Sequence, residues 1–497
     1  MNLIYQMLPR LWGNGRFSGI DQPTLNYLKN TLGADYLWCT GVIRHATFTS
    51  ERLCTPSHPQ IVKGNAGSPY AITDYYDVNP YMADDPSQRM EEFRSLVDRV
   101  HEAGLKLLID FVPNHVARDN VNLGQDDDKT VHWAPENDFF YYPGEPLKLP
   151  ETVTVPGEPY YENPAKASGN AFTPAPGIND WYETVKINYC DFHTATWDKM
   201  LQIVRFWASL GVDGFRCDMV ELVPWQFMKW LIASIKKEYP QMLFVAEVYE
   251  KEKYRMYVEE VGFDLLYDKS GLYDTLRAVT CSNASAKGIT WNWQFLGDLQ
   301  PHMLNFLENH DEQRIASDFF CGNAEGGYAA LAVSLLLNQA PFMLYFGQEI
   351  GERGMDAEGF SGRDGRTSIF DWWTVKSLKR LNQWIKQEGK GLQAHEKSVL
   401  GRYEQLLTLR KSASFAKGKT YDLCYCQDGA FNPDRHYAWL RSDGNKTWLL
   451  VSNFSDRKEE LTLRIPPEAL NFLGIKAVRT VYTLTVGAKD YALQEVD

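Results

Sequence analysis

The 497-residue sequence contains no run of 18 uninterrupted apolar residues, so neither a helical membrane span nor a membrane partner is expected. It has no CxxC pair and no Cys/His spacing that would hold a metal, which excludes zinc-ribbon and thioredoxin-like readings. Its eight cysteines, Cys39, Cys54, Cys190, Cys217, Cys281, Cys321, Cys424 and Cys426, are expected to be reduced. Cys424 and Cys426 fall in a strand-like stretch. The opening residues, MNLIYQMLPRLW, lack a basic segment followed by a long apolar one, so no secretory leader is read and a cytoplasmic location is expected. Basic residues are the minority: 51 Lys and Arg against 64 Asp and Glu give a formal net charge of −13. A phosphate backbone needs a basic face, so nucleic acid is excluded as a partner, while a neutral ligand is not. Internal repeats and low-complexity segments are also absent.

What is present is length enough for a barrel of about 250 residues with insertions and an appendage. Aromatic residues are frequent (15 Trp, 27 Tyr, 25 Phe), enough to offer faces to sugar rings, although most belong in cores.

The periodicity alternates short apolar strands with amphipathic helices. Strands are expected at residues 4–8, 34–39, 105–112, 213–217, 243–247, 263–267, 303–308 and 341–346. Helices are expected at 22–32, 89–103, 196–210, 224–238 and 396–412. Phe93, Leu96, Val97 and Val100 mark one helix face, and Gly104 stops that helix. Residues 44–88 read as a long loop. About eight strand–helix repeats argue for an α/β fold with a parallel sheet, either a closed barrel or an open doubly wound sheet. The division expected is a first barrel part at 1–115, an inserted domain at 116–187, the rest of the barrel at 188–415 and a C-terminal all-β sandwich at 416–497. The insert is rich in Pro, Gly, Asn and Tyr, and irregular stretches of that length are usually functional.

Barrel enzymes keep their chemistry at the C-terminal ends of the strands. Four ends here carry ionisable groups: Asp110 with Asn114-His115, Arg216-Cys217-Asp218, Glu247, and Glu308-Asn309-His310-Asp311. One acid at a strand end usually caps a helix or makes a salt bridge. Four directed at one mouth suggest a site. Two carboxylates, one ionised and one protonated, are what glycosidic cleavage requires. Arg216, two residues before Asp218, shares its side of the strand and can keep that carboxylate ionised.

In this order, Asp110-Phe111-Val112-Pro113-Asn114-His115, Gly214-Phe215-Arg216-Cys217-Asp218, Val245-Ala246-Glu247-Val248 and Glu308-Asn309-His310-Asp311 resemble the four signatures of the α-amylase family, glycoside hydrolase family 13. The resemblance covers about residues 1–415. It implies a (β/α)₈ TIM barrel with a small domain inserted after strand 3 and a C-terminal β-sandwich. It implies Asp218 as nucleophile, Glu247 as acid/base and Asp311 as a transition-state stabiliser gripping sugar hydroxyls. It further implies Arg216 positioning Asp218, His115 and His310 binding sugar hydroxyls, Asp110 holding the Arg and its network, and Tyr70 stacking under the same sugar. The substrate implied is an α-linked oligo- or polysaccharide, and the mechanism a retaining double displacement through a glycosyl-Asp218 intermediate.

Some positions depart from the pattern. Where many members carry Lys-His after the nucleophile, this chain has Glu221-Leu222, more similar to neopullulanases, maltogenic amylases and some exo-acting or transferring members. Arg363-Asp364-Gly365-Arg366-Thr367 loosely resembles a stretch of α-glucosidases, or is a surface loop. Asn114 matches a calcium ligand of many relatives, yet Lys186 stands where the ligating Asp usually is. No cofactor and no metal are therefore expected. Trp225 and Trp230 are expected to pack a barrel helix, and Trp372 and Trp373 are candidates for flanking the cleft. Two other readings stay open: an α-glucan transglycosylase or exo-acting, neopullulanase-like enzyme, and a catalytically inactive carbohydrate-binding relative.

Overall fold

The computed structural model describes residues 3–151, 157–356, 362–387, 389–476 and 479–497. Eight short parallel strands form one sheet: β1 (Leu3–Met7), β2 (Tyr36–Cys39), β3 (Lys106–Phe111), β4 (Gly214–Cys217), β5 (Leu243–Ala246), β6 (Leu265–Tyr267), β7 (Met303–Phe306) and β8 (Phe342–Tyr345). β1 pairs with β2 through Ile4 and Tyr36, and with β8 through Leu3 and Phe342. The sheet therefore closes, and the open doubly wound alternative falls away.

Side chains alternate across each strand. On β3, Leu107, Ile109 and Phe111 pack outward against the helical layer. Leu108 turns inward with Ile4, Trp38, Val245, Tyr267 and Phe306, so the barrel is filled rather than hollow. Gly214 is required there: a Cβ would lie 2.5 Å from both Leu108 Cδ2 and the Leu243 carbonyl oxygen. The helices Arg89–Glu102, Ala195–Ser209, Trp225–Glu238 and Ala394–Arg410 form close to the expected positions. The first buries Phe93, Leu96, Val97 and Val100 and stops at Gly104, whose φ of +72° suits glycine.

Residues 44–88 are not one loop. Ile43–His45 pairs antiparallel with Ile72–Val78, with two register shifts. A three-residue partner with bulges leaves too little alternation to read as a period. Between β3 and β4 the chain is mostly irregular, with two short pairings: His115–Ala117 with Thr184–Lys186, and Tyr141–Tyr142 with Ala165–Lys166.

At the C-terminal end, β9 (Lys419–Asp422), β10 (His436–Ser442), β11 (Thr447–Asn453) and β14 (Tyr491–Glu495) form one sheet. β12 (Glu459–Arg464) and β13 (Val481–Val486) form a second. Leu440, Leu449 and Val451 of the first share a core with Leu461, Leu463 and Tyr482 of the second, as a sandwich requires. One helix, Pro467–Leu473, interrupts the all-β pattern. Cys424–Cys426 is a 3₁₀ turn rather than a strand, because Asp422 Oδ1 accepts the Cys424 N–H at 2.7 Å. All eight cysteines are free. Among the described residues no helix is long and apolar enough to cross a membrane.

Candidate active site

The inward rows of the barrel run straight into polar groups. Gln6 follows Ile4 by two residues on β1, Asp110 follows Leu108 on β3, and Glu247 follows Val245 past the end of β5. Arg216 lies level with Asp110 on one side and Val245 on the other, and Asp218 comes two residues later. Strand periodicity alone thus stacks a layer of acids and one arginine on the apolar core.

Arg216 organises that layer. Its Nη1 donates to Asp218 Oδ1 at 2.6 Å, and its Nη2 pairs with Glu247 Oε1 at 2.8 Å. All three side chains are buried. Among the described residues nothing hydrogen-bonds Asp218 Oδ2. Burial and then the nearby Glu247 carboxylate push Asp218 above the usual carboxylate range, while Arg216 pulls it down. Glu247 also accepts from the Met219 N–H at 2.9 Å and from the Tyr249 hydroxyl at 2.7 Å. Met219 takes a left-handed conformation, φ +44°, rare for its residue type and typical of functional sites.

Tyr70 and His310 form a second unit. The Gln6 amide donates to His310 Nδ1 at 2.8 Å, which leaves the ring proton on Nε2. Nε2 lies 2.6 Å from the Tyr70 hydroxyl and 3.2 Å from Asp311 Oδ2. The Tyr70 hydroxyl donates onward to Asp110 Oδ1 at 3.3 Å, and its ring stacks on His310 with centroids 5.3 Å apart. Burial and then Arg216 lower His310 to about 3, so it is neutral. Asp110 is pushed up to about 6 by burial and accepts from Trp38 Nε1 (3.2 Å) and Gly41 N (3.3 Å). Its contact with Arg216 is longer, 4.0 Å, so Asp110 anchors Tyr70 more directly than it holds the arginine. Asp311 sits at the mouth with 45% of its side chain exposed.

Tyr70, His115, Asp218, Glu247, His310 and Asp311 line one cavity of about 280 Å³; Arg216 and Asp110 stand buried behind it. His115 is neutral as well, lowered to about 3 by burial and then Lys186. Its partner Asn114 takes the Lys186 ammonium on Oδ1, and Lys186 also donates to the Leu222 carbonyl at 2.6 Å. Burial lowers Lys186 to about 7. Lys186 Nζ thus takes the place beside Asn114 Oδ1, and it offers no oxygen to a calcium ion, which takes six to eight. Among the described residues no cluster of three or more His, Cys, Asp or Glu suits a metal.

The cavity also takes Lys63, Trp181, Glu183, Tyr249, Ile369 and Phe370, which the strand-end reading passed over. Tyr249, two residues after Glu247, was within reach of that reading; the others come from irregular segments. Arg366 is no free surface loop residue: its Nε donates to the Asp311 carbonyl at 2.6 Å. Trp372 and Trp373 line a different hollow, beside Arg10 and Tyr81, and do not flank this cavity. Trp225 and Trp230 pack against the core.

The family model for the alpha amylase catalytic domain matches residues 11–418. Alpha-amylase 3 of Dictyoglomus thermophilum is 24% identical over 70% of this chain and 68% of its own length. Neopullulanase 2 of Thermoactinomyces vulgaris is 23% identical over 93% of this chain and 71% of its own. Among solved structures, a maltogenic α-amylase from Thermotoga neapolitana superposes with a TM-score of 0.65 at 20% identity, covering 100% of this chain and 96% of that one. With a barrel closed by eight strands, a buried arginine between two acids and this match across most of its length, the chain belongs to the α-amylase family of glycoside hydrolases.

Proposed function

We propose that the protein cleaves α-glucosidic bonds of starch-derived glucans or maltooligosaccharides with retention of configuration. The observation that carries this is Asp218: one carboxylate oxygen is pinned by Arg216, and the other is buried at the cavity with no protein partner. That is the posture of a nucleophile. A single guanidinium reaches both Asp218 and Glu247 and holds the two acids at one cavity, as a retaining pair requires. Relatives named α-amylase, neopullulanase and maltogenic α-amylase support the substrate class.

Asp218 Oδ2 attacks the anomeric carbon while Glu247 protonates the departing oxygen. The β-linked glycosyl–Asp218 ester then breaks as Glu247, now a base, takes a proton from water or from a second sugar's hydroxyl. Asp311, His310 and His115 hold ring hydroxyls, and Tyr70 packs beneath the ring. Arg216 keeps Asp218 ionised once the proton is on Glu247. No cofactor takes part, and the Lys186 ammonium replaces a structural calcium.

A 5-fluoro-α-glucosyl fluoride tests this. The expected result is one fluoroglucosyl label on the peptide bearing Asp218, and α-anomeric product first released from maltotriose. A label on Glu247, or β product, overturns the assignment. Asp218→Asn is expected to lower kcat by roughly 10⁴-fold or more.

A further inference from the structure

The cavity has two unlike ends. Around Glu247 stand Met219 and Tyr249, on the side where the leaving group must depart. Lys63, Trp181, Glu183, Ile369 and Phe370 line the cavity as well, and of these Trp181 lies against His115, ring centroids 5.0 Å apart. The short strand Thr184–Lys186 runs along this wall, with Lys186 opposite His115. Lys186, at one end of it, reaches the Leu222 carbonyl just beyond the nucleophile. Glu183 precedes its other end, about 10 Å away at some 3.3 Å per residue.

Three segments from different parts of the chain are tied together at this far end. Lys63 Nζ meets Glu183 Oε2 at 3.0 Å, with side chains only 13% and 5% exposed. Close by, His58 Nε2 lies 2.9 Å from the Glu158 carbonyl, and Gln60 Oε1 accepts the Tyr160 N–H at 2.7 Å. The same loop joins the segment after β8, where the Ala66 N–H donates to the Phe370 carbonyl at 2.8 Å. A cleft that binds a long glucan in its middle must stay open at both ends. This one carries a nearly buried ion pair in its wall, and its volume of about 280 Å³ is small beside the roughly 300–1,000 Å³ of ligand cavities.

We propose that the Lys63–Glu183 pair is a latch that ends the cleft on the glycone side and makes the enzyme exo-acting, admitting α-glucans only by a free non-reducing end. The proposal rests on the glycosidase reading above. The latch leaves room for one or two sugar units beyond the scissile bond. Its charged groups face the terminal hydroxyls, and a chain continuing past them clashes with the wall.

The test compares maltopentaose with maltopentaose whose non-reducing 4- and 6-hydroxyls are bridged by an ethylidene acetal. The intact enzyme is expected to cleave the free-ended substrate about 100-fold faster, a discrimination within reach of one closed wall. Lys63→Ala and Lys63→Ala/Glu183→Ala are expected to narrow that ratio at least about tenfold by raising the rate on the blocked chain. Lys63→Arg, which keeps the pair, leaves the ratio high. Equal rates for the intact enzyme on both substrates overturn exo action. An unchanged ratio in Lys63→Ala, with an unaltered melting curve, overturns the latch. Should Lys63→Ala/Glu183→Ala fail to fold, the single Lys63 variants decide. No turnover of either substrate sinks the glycosidase reading and takes this inference with it.

Discussion

The Tyr249 hydroxyl holds Glu247 Oε1 at 2.7 Å, and Glu221 in turn holds the backbone under Tyr249. Glu221 Oε2 accepts the Tyr249 N–H at 2.7 Å, and Oε1 accepts the Glu250 N–H at 3.1 Å. The residue that departs from the lysine of many family members therefore acts as a clamp on the loop that carries Glu247. In Tyr249→Phe, Glu247 loses a hydrogen-bond donor worth about 1.5 kcal/mol, or roughly tenfold in rate. The loss should depend on the leaving group. A glucan oxygen needs protonation as it departs; a nitrophenolate does not. We expect kcat/KM to fall about tenfold more on maltotriose than on a nitrophenyl α-maltoside, and Glu221→Ala to follow the same trend more weakly. Equal losses on both substrates would mean that Tyr249 shapes the cavity without positioning the acid.

Among elements, the strand Thr184–Lys186 joins the insert to the barrel and carries the Lys186 ammonium between Asn114 and Leu222. Lys186→Ala leaves the buried Asn114 Oδ1 and the part-buried Leu222 carbonyl without this donor, and a loss of about 1–3 kcal/mol is expected, read as a lower melting temperature. The intact protein is expected to keep its melting temperature in chelator. Lys186→Asp should instead make melting respond to added calcium, since a carboxylate joins Asn114 and the Leu222 carbonyl as oxygen ligands. A chelator-induced drop in the intact protein would contradict the replacement. Such an element also shows where sequence reading stops. Strands β3, β4 and β5 were legible because they are buried on both faces and end in acids. Lys63 and Glu183 were not, because 120 residues separate them and neither lies in a periodic segment. The hairpin of Ile43–His45 with Ile72–Val78 was hidden by its bulges. Trp372 and Trp373 misled because an aromatic residue near a cleft in sequence carries no information on which hollow it lines.

Across the whole molecule, closure of the sheet was the step the sequence left open; strand–helix alternation is the same in open and closed sheets, and only the pairing of β1 with β8 decides it. The same close packing sets the response to acid. His45, His115 and His310 are each lowered to about 3, chiefly by burial, so between about pH 6.5 and 3 the unfolded chain binds three protons that the folded one does not. Alone, these groups would give stability that is full above pH 6.5 and falls steadily below it. Buried carboxylates oppose them. Asp110 and Asp268 are raised to about 6 and Glu308 to about 7, again chiefly by burial, so the folded chain holds their protons where the unfolded one has lost them. That offset lasts only until the unfolded carboxylates are protonated too, near pH 4. Below it the histidines act unopposed, at about 4 kcal/mol per pH unit for three protons. Asp218, Asp311, Glu183, Glu349 and Glu352 are raised by burial as well, so the melting temperature is expected not to fall from pH 6.5 to about 4.5 and then to drop steeply. A melting temperature that declines evenly from pH 6.5 downward would show that the carboxylates are ionised in the folded protein, and that their burial does not hold the protons assigned to them.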